Sequence, residues 1–278
     1  MVSGAYALGL FGPGFPKGPG PLPNAPSQAQ VTGLAPPPVL RERVVKVRPS
    51  RPVAELGCGP WLTTKAMPGA AILVNVAAPC QPGAPVSVRH SRLETSGETD
   101  GDGHFSVLLP ALEQKAEVEI ALSGEVHAQR IDVPSAAAFQ HVILQWTGGQ
   151  VLEMHAYEFG AGKSQMGHVW AGAPKTPVWA ARGTGGYLTR LENGTGSASE
   201  VYSFPAGQSP LRGVVRLVVE AKVTADTCGK HAFGTALQTS PLGGLRETEI
   251  AVEMPECDKI GETVQLQNLL QDMRLAGR

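Results

Sequence analysis

Apolar and polar side chains alternate along the longest apolar segments in the second half of the chain. In the segment 213–224 every second residue is apolar, while Arg216, Glu220 and Lys222 lie between them, and the segment 248–254 repeats the pattern. Successive side chains of a β-strand point to opposite faces, so each segment has one face for a core and one for solvent. This alternation predicts antiparallel β-sandwich strands.

Composition supports an all-β chain and excludes some partners. The 278 residues include 34 Gly and 24 Pro, well above average usage, which favours many turns and disfavours a helix bundle. The 23 Lys+Arg against 24 Asp+Glu give a formal net charge of −1. The chain therefore has no net positive charge that would attract nucleic acid. We predict two antiparallel β-sandwich domains in tandem, at 41–146 and 147–278, after a disordered Pro/Gly-rich N-terminal spacer at 1–40.

Strand-length segments account for both sandwiches. The strands predicted for the first are Val44–Val47, Ala70–Val76, Pro85–His90, Phe105–Leu109, Val118–Leu122 and Ile131–Val133. In the second, the Thr147-Gly148-Gly149 turn predicts a hairpin of His141–Trp146 with Val151–Phe159. The remaining predicted strands are Val201–Phe204, Gly213–Thr224 and Thr248–Met254. Leu266, Leu269, Leu270 and Met273 have helical spacing, which predicts a short C-terminal helix at Gln265–Ala276.

The N-terminal region predicts a tether. Residues 1–11 are apolar and uncharged but too few to span a bilayer, and they lack the basic start of a signal peptide. They are either the end of a longer signal or anchor, or an apolar terminus. Gly and Pro crowd residues 12–38, which predicts a semi-extended spacer. A basic cluster follows, a solvated linker or a contact for anionic headgroups or wall polymer: Arg41, Arg43, Lys46, Arg48 and Arg51.

Four cysteines indicate the compartment. Cys58, Cys80, Cys228 and Cys257 form no CxxC pair, which argues against a zinc ribbon or a thioredoxin-type site. Two disulfides in an oxidising compartment fit better, and four buried free thiols are the alternative. An internal echo favours Cys58–Cys80 and Cys228–Cys257, because the first cysteine of each pair precedes Gly and the second follows an apolar strand.

One part of the chain resembles a known domain family. The run PGAPVSV, the turn and strand TDGDGHFSV, and the later LPAL and VEIALSG resemble the transthyretin-like sandwich of carboxypeptidase regulatory-like domains, over about 70–134. The matching turn positions are Thr99, Asp100, Gly103 and Phe105. The resemblance implies an extracytoplasmic binding or spacer module without catalytic residues. The Cys58–Cys80 link is not part of that family's pattern.

The folded part as a whole is also similar to an uncharacterised family of exported alphaproteobacterial proteins, some with an automatic "translocase" label. The stretches that carry this resemblance are APCQPGAPVSVRH, HAYEFGAG, GHVWA, VEAKVTADTCG and NLLQDMRLA. It implies a periplasmic or cell-envelope location. The N-terminal region adds attachment to the inner membrane as one alternative. The resemblance supplies no catalytic residues.

Three motifs resemble metal-, phosphate- or calcium-binding sites. His155, Glu158 and His168 have spacings that suggest a metal-dependent hydrolase, but a strand at 151–159 sends His155 and Glu158 to opposite faces. We therefore expect an exposed strand histidine, a loop histidine near Trp170, no metal and no cofactor. The GAGKS run at 160–164 lacks the first glycine of a phosphate loop. The Thr99–Gly103 turn lacks the twelfth-position acid of an EF-hand.

The irregular segment 157–187 is the predicted binding surface. It carries Trp170, Trp179 and Tyr187 among Gly, Pro and Ala, and large aromatic side chains in a long loop either cover a core or bind a ligand. We expect a non-enzymatic exported cell-envelope protein that binds or scaffolds a partner protein or envelope polymer. The alternative is a carbohydrate- or peptidoglycan-binding module that uses these three aromatics, and a metal-dependent hydrolase is a distant one.

Overall fold

The computed structural model describes residues 58–148, 152–239, 244–266 and 269–276. Across these ranges the chain forms seventeen β-strands and one α-helix of a single turn, so the predicted all-β class is confirmed. The spacer, the basic cluster at 41–51 and the predicted strand Val44–Val47 lie outside the described residues.

Seven antiparallel strands form the first sandwich. Its three-stranded sheet has the order β1-β2-β5, and its four-stranded sheet has the order β4-β3-β6-β7. The strands are β1 Trp61–Met67, β2 Ala71–Ala77, β3 Pro85–His90, β4 Leu93–Glu98, β5 His104–Pro110, β6 Lys115–Leu122 and β7 Glu125–Asp132. The strands predicted here between Ala70 and Leu122 are all present, whereas Ile131–Val133 overlaps only the end of β7. The strands β1 and β4 were not predicted.

The turn between β4 and β5 is formed by the Thr99–Gly103 motif. Oδ1 of Asp100 accepts hydrogen bonds from the backbone N–H groups of Asp102 and His104, at 3.0 Å and 2.7 Å. Gly103 has a φ of +78°, and a Cβ there would collide with the carbonyl oxygen of Ala78. Only glycine can adopt this φ and leave space for the Ala78 carbonyl. This requirement explains why the sequence motif predicts the turn.

Ten strands form the second sandwich. Its central sheet has the order β11-β12-β8-β14-β15, and its outer sheet has the order β10-β9-β13-β16, with β17 also paired to β13. The central strands are β8 Gln140–Thr147, β11 Tyr187–Glu192, β12 Ser197–Phe204, β14 His231–Thr239 and β15 Leu245–Glu253. The outer strands are β9 Leu152–Glu158, β10 His168–Val169, β13 Arg212–Lys222, β16 Thr263–Leu266 and β17 Met273–Ala276.

The central sheet is buried on both faces over part of its area. Val142, Leu144 and Trp146 of β8 belong to the core shared with the outer sheet, while Ile143 belongs to the core of the first sandwich. The predicted boundary at residue 146 assigned β8 to the first domain. The structure places β8 in the second, because its two neighbours there are β12 and β14, so the change of sandwich comes before Gln140.

The predicted hairpin of His141–Trp146 with Val151–Phe159 is wrong. Both strands exist, but β8 lies in the central sheet and β9 in the outer sheet, where β9 pairs with β10 and β13. The two edges of β8 are already hydrogen-bonded to β12 and β14, which leaves no edge for β9. The Thr-Gly-Gly turn signal is local, so it does not show that β12 and β14 occupy both edges of β8.

The predicted C-terminal helix is also wrong. β16 and β17 pair with two parts of the same edge of β13, at Val219–Lys222 and Arg212–Val215. Between them, Oδ1 of Asp272 accepts a hydrogen bond from the backbone N–H of Leu217 at 3.2 Å. The long edge of β13 therefore gains partners along its length, and this tertiary pairing outweighs the helical spacing of the leucines.

Both disulfides join the predicted partners. Cys58 is bonded to Cys80 and Cys228 to Cys257, with Cα–Cα distances of 5.4 Å and 4.9 Å. Two disulfides indicate an oxidising, extracytoplasmic environment. Among the described helices, none has the length and apolar character needed to cross a membrane.

Candidate functional site

The three aromatic side chains predicted for a binding surface have different environments. Tyr187 is 1% exposed and belongs to the first core, with its hydroxyl 3.5 Å from the carbonyl oxygen of Ala70. Tyr187 therefore packs in the core, and its assignment to a ligand surface stays a prediction. Trp170 is half-buried, and Trp179 is 37% exposed. Of the three, Trp179 lines a pocket of about 550 Å³ in this segment, and Tyr187 lines a smaller one of about 380 Å³.

Trp170 covers a buried histidine pair on the outer face of the outer sheet. Its ring lies 5.4 Å from the ring of His155 and 5.7 Å from that of His168, nearly parallel to both. Tyr157 stacks on His168 at 4.5 Å. The expectation of an exposed strand histidine is wrong, since His155 is 1% exposed, and Trp170 contributes to packing.

The hydrogen bonds around the two histidines define one arrangement of their protons. The backbone N–H of Ser164 donates to Nδ1 of His168 at 3.0 Å, so neutral His168 carries its hydrogen on Nε2. That nitrogen is 2.8 Å from Nδ1 of His155, which must then accept. Nε2–H of His155 faces Oε2 of Glu220 at 3.4 Å. Desolvation lowers the pKa of both histidines.

Glu158 lies on the opposite face of β9, as the alternation predicted. Its Oε1 accepts hydrogen bonds from the backbone N–H of Gly186 at 2.6 Å and from the hydroxyl of Tyr202 at 2.7 Å. The trio of His155, Glu158 and His168 is therefore not brought together. In the described part of the chain, no group of three or more His, Cys, Asp or Glu residues is placed to hold a metal ion.

Segment 157–187 nevertheless forms a pocket of about 550 Å³, here called the loop pocket. Glu158 and Lys175 line it together with three apolar side chains, Phe159, Met166 and Trp179. Burial raises the pKa of Glu158, whereas its two hydrogen bonds and the charge of Lys175 lower it. The predicted segment therefore contains a concave site, built largely from residues that the sequence had not singled out.

A larger concavity lies between the two sandwiches. This inter-sandwich cleft has a volume of about 600 Å³. Its floor is one cross-strand row of the central sheet, in which Ser199, Gln145, Thr235 and Glu249 are neighbours on four adjacent strands. The next row, Val201, Ile143, Leu237 and Glu247, lies toward the first sandwich. The apolar members of that row belong to the first core, so the cleft begins where the first sandwich ceases to cover the sheet.

The first sandwich supplies one wall of the cleft. Arg92 and Glu94 line it, and Arg92 pairs with Glu247 across the junction at 3.1 Å. The backbone carbonyl of Arg92 accepts a hydrogen bond from Nε2 of Gln145 at 2.8 Å. These bonds fix the wall against the floor.

Two residues of the cleft differ in their exposure to a ligand. Ser199 is 3% exposed, and its Oγ has no hydrogen-bond partner among the described residues. Phe233, which also lines the cleft, is 59% exposed. A buried hydroxyl without a partner is costly. The Oγ of Ser199 is closed to solvent, so the ring of Phe233 is the part of the cleft that is offered to a ligand.

The sequence patterns do not reveal this cleft. Its floor residues are separated by up to about a hundred positions in the chain, and only the strand register aligns them. The local signal was present, because Gln145 interrupts the apolar run of β8. No protein-family model matches the sequence, and no curated protein is significantly similar to it.

Proposed function

We propose that the protein is an exported, non-enzymatic binding module of the cell envelope, and that its inter-sandwich cleft holds a glycan chain. The observation that carries this proposal is the polar row of Ser199, Gln145, Thr235 and Glu249 on the floor of an open cleft. Sheet faces inside a sandwich are normally apolar, so this polar row stands apart from the core and presents hydrogen-bonding groups to the cleft.

The chemistry of the cleft matches a sugar. Sugar hydroxyls both donate and accept hydrogen bonds, and the side chain of Thr235 can do the same. The carboxylates of Glu94 and Glu249 accept only. The exposed ring of Phe233 offers an apolar surface to the C–H face of a sugar ring. A few placed polar groups with an aromatic surface are typical of small-molecule sites.

The proposed location is the periplasm or the cell envelope. The two disulfides support it, and attachment to the inner membrane through residues 1–40 is part of the same proposal. The first sandwich is proposed to be a carboxypeptidase regulatory-like domain. Its support is the pair of antiparallel sheets with three and four strands, together with the turn at Thr99–Gly103.

Co-sedimentation with isolated envelope polymers tests this function. Phe233→Ala should weaken binding to peptidoglycan or another envelope polysaccharide by up to about tenfold, because an aromatic contact contributes about 0.5–1.5 kcal/mol and 1.4 kcal/mol is a factor of ten. Val126→Ala is the matched control, since Val126 is 63% exposed on β7 of the first sandwich and should not change binding.

A third variant separates the cleft from the predicted loop surface. Trp179→Ala should leave polymer binding unchanged. Loss of binding in Trp179→Ala with full binding in Phe233→Ala would contradict the cleft and favour segment 157–187. Capture of an envelope protein, without binding to any polymer, would replace the glycan by a partner protein.

A further inference from the structure

We infer that the loop pocket is a second binding site, which takes a short zwitterionic peptide through its free ammonium and carboxylate groups. This inference does not depend on glycan binding in the cleft. It rests on two opposite charges that line one pocket without pairing to each other.

The carboxylate of Glu158 provides the negative side of the pocket. Glu158 is 6% exposed, and both of its hydrogen bonds end on Oε1, from Gly186 and Tyr202. In the described part of the chain Oε2 has no hydrogen-bond partner. Oε2 lies beside Gly185, where a Cβ would approach Oε2 to 2.8 Å and Nε1 of Trp179 to 3.3 Å, so only glycine fits beside this carboxylate. A carboxylate fixed in this way is preorganised to accept from an ammonium group.

Lys175 provides the positive side. It lines the same pocket and lowers the pKa of Glu158 through its charge, yet within the described residues the two form no ion pair. The Nζ of Lys175 instead lies 5.4 Å from the centre of the Trp179 ring, which is a cation–π contact. A ligand with both charges can pair with each side chain, whereas a singly charged ligand leaves one unpaired.

The size and the apolar lining favour a short peptide. A pocket of about 550 Å³ falls within the usual range for small-ligand sites. Phe159, Met166 and Trp179 are 36%, 89% and 37% exposed and offer contact to apolar side chains. Phe159 has a φ of +54°, a conformation that bulky residues rarely adopt and that is often found at ligand sites.

Calorimetric titration of the full chain with L-leucyl-L-leucine tests the inference. The free dipeptide should bind, and its N-acetyl and C-terminal amide derivatives should each bind at least about tenfold more weakly, because each lacks one charge. Equal affinity for the free and the N-acetylated dipeptide would overturn the inference. Absence of binding by the free dipeptide at millimolar concentration would also overturn it.

Variants locate the site. Glu158→Gln keeps an oxygen for Gly186 and Tyr202, and Lys175→Met keeps a chain of similar length; each should lower affinity at least about tenfold. Lys115→Met is the matched control, since Lys115 is exposed and lies outside the pocket. Unchanged affinity in both folded pocket variants would overturn the assignment. Should either variant fail to fold, the dipeptide derivatives still decide the question.

Discussion

Burial keeps three histidines in their neutral form. Desolvation lowers the pKa of His141 from the ordinary 6.5 to about 4. It also lowers the pKa of His155 and of His168, although Glu220 and Glu153 oppose the change at His155. In each case the unfolded chain binds a proton more readily than the folded one, so these side chains make stability depend on pH.

We expect the contribution of His141 to the free energy of unfolding to fall as the pH drops from 6.5 to about 4. In that window the unfolded chain protonates at position 141 and the folded chain does not. His141→Gln removes this contribution, so the wild-type protein should lose on the order of 2 kcal/mol more than the variant. Urea unfolding of both proteins at the two ends of the window measures the difference.

Glu200 changes the pH dependence of stability in the opposite sense to His141. The comparison of the wild-type protein with His141→Gln controls for this effect. Burial raises its pKa from 4.5 to about 7, so the folded state gains a proton between these values as the pH falls, and this increases stability. Glu200 is present in both proteins, and its effect therefore cancels. Equal losses in the wild-type protein and the variant would show that His141 does not make this contribution.

Single residues were predictable from sequence where their role is local. Gly103 and Asp100 form a turn within five residues, and sequence patterns report such turns directly. The cysteine pairs also follow from short-range patterns. The burial of Tyr187 and His155 was not predicted because it depends on strands far away in sequence, and neither residue type has a strong preference for the interior.

At the scale of elements, alternation predicted the strands well and their partners poorly. The pattern of β13 gave its two faces correctly, because that pattern reports which side chains meet the core. It carries no information about which strand pairs with which edge. This is why β9 was assigned to β8, and why β16 and β17 were taken for a helix although they complete the edge of β13.

Leu275 distinguishes the strand from the helix at the C-terminus. In β17, Met273 and Leu275 are buried and Arg274 between them is exposed, whereas in the predicted helix Leu275 would lie outside the apolar stripe. Leu275→Asp should lower the free energy of unfolding by about 3 kcal/mol or more, since it buries an unpaired charge. Arg274→Asp should change it by less than about 1 kcal/mol. Thermal or urea unfolding of the pair is the measurement, and similar values for both would contradict the strand.

At the scale of the whole molecule, the candidate site arises from packing between sandwiches. The cleft exists because the first sandwich covers the row of Val201, Ile143 and Leu237 but not the polar row beside it. The sequence of a single strand does not show which part of its face is covered by the other sandwich. The loop segment could be predicted as irregular and aromatic, but its pocket depends on Glu158, which belongs to a strand of the outer sheet.

The two disulfides stabilise different parts of the molecule, and their removal should be close to additive. Cys58–Cys80 and Cys228–Cys257 close loops with sequence separations of 22 and 29, each of which constrains the unfolded chain by about 3 kcal/mol in the loop-entropy account. Serine replacement of either pair should lower the free energy of unfolding by about that amount. Replacement of both should remove a large part of the 5–15 kcal/mol or so typical of a folded protein.

Urea unfolding with and without reductant measures the contribution of the disulfides. Reductant should destabilise the wild-type protein by about as much as the double replacement does, and it should not affect the protein that lacks all four cysteines. The same difference is relevant to the compartment of the protein. In a reducing environment the chain would lose the whole stability contribution of its disulfides. If reductant left the unfolding of the wild-type protein unchanged, the disulfides would not contribute to stability, and the inference of an oxidising environment would lose its energetic basis.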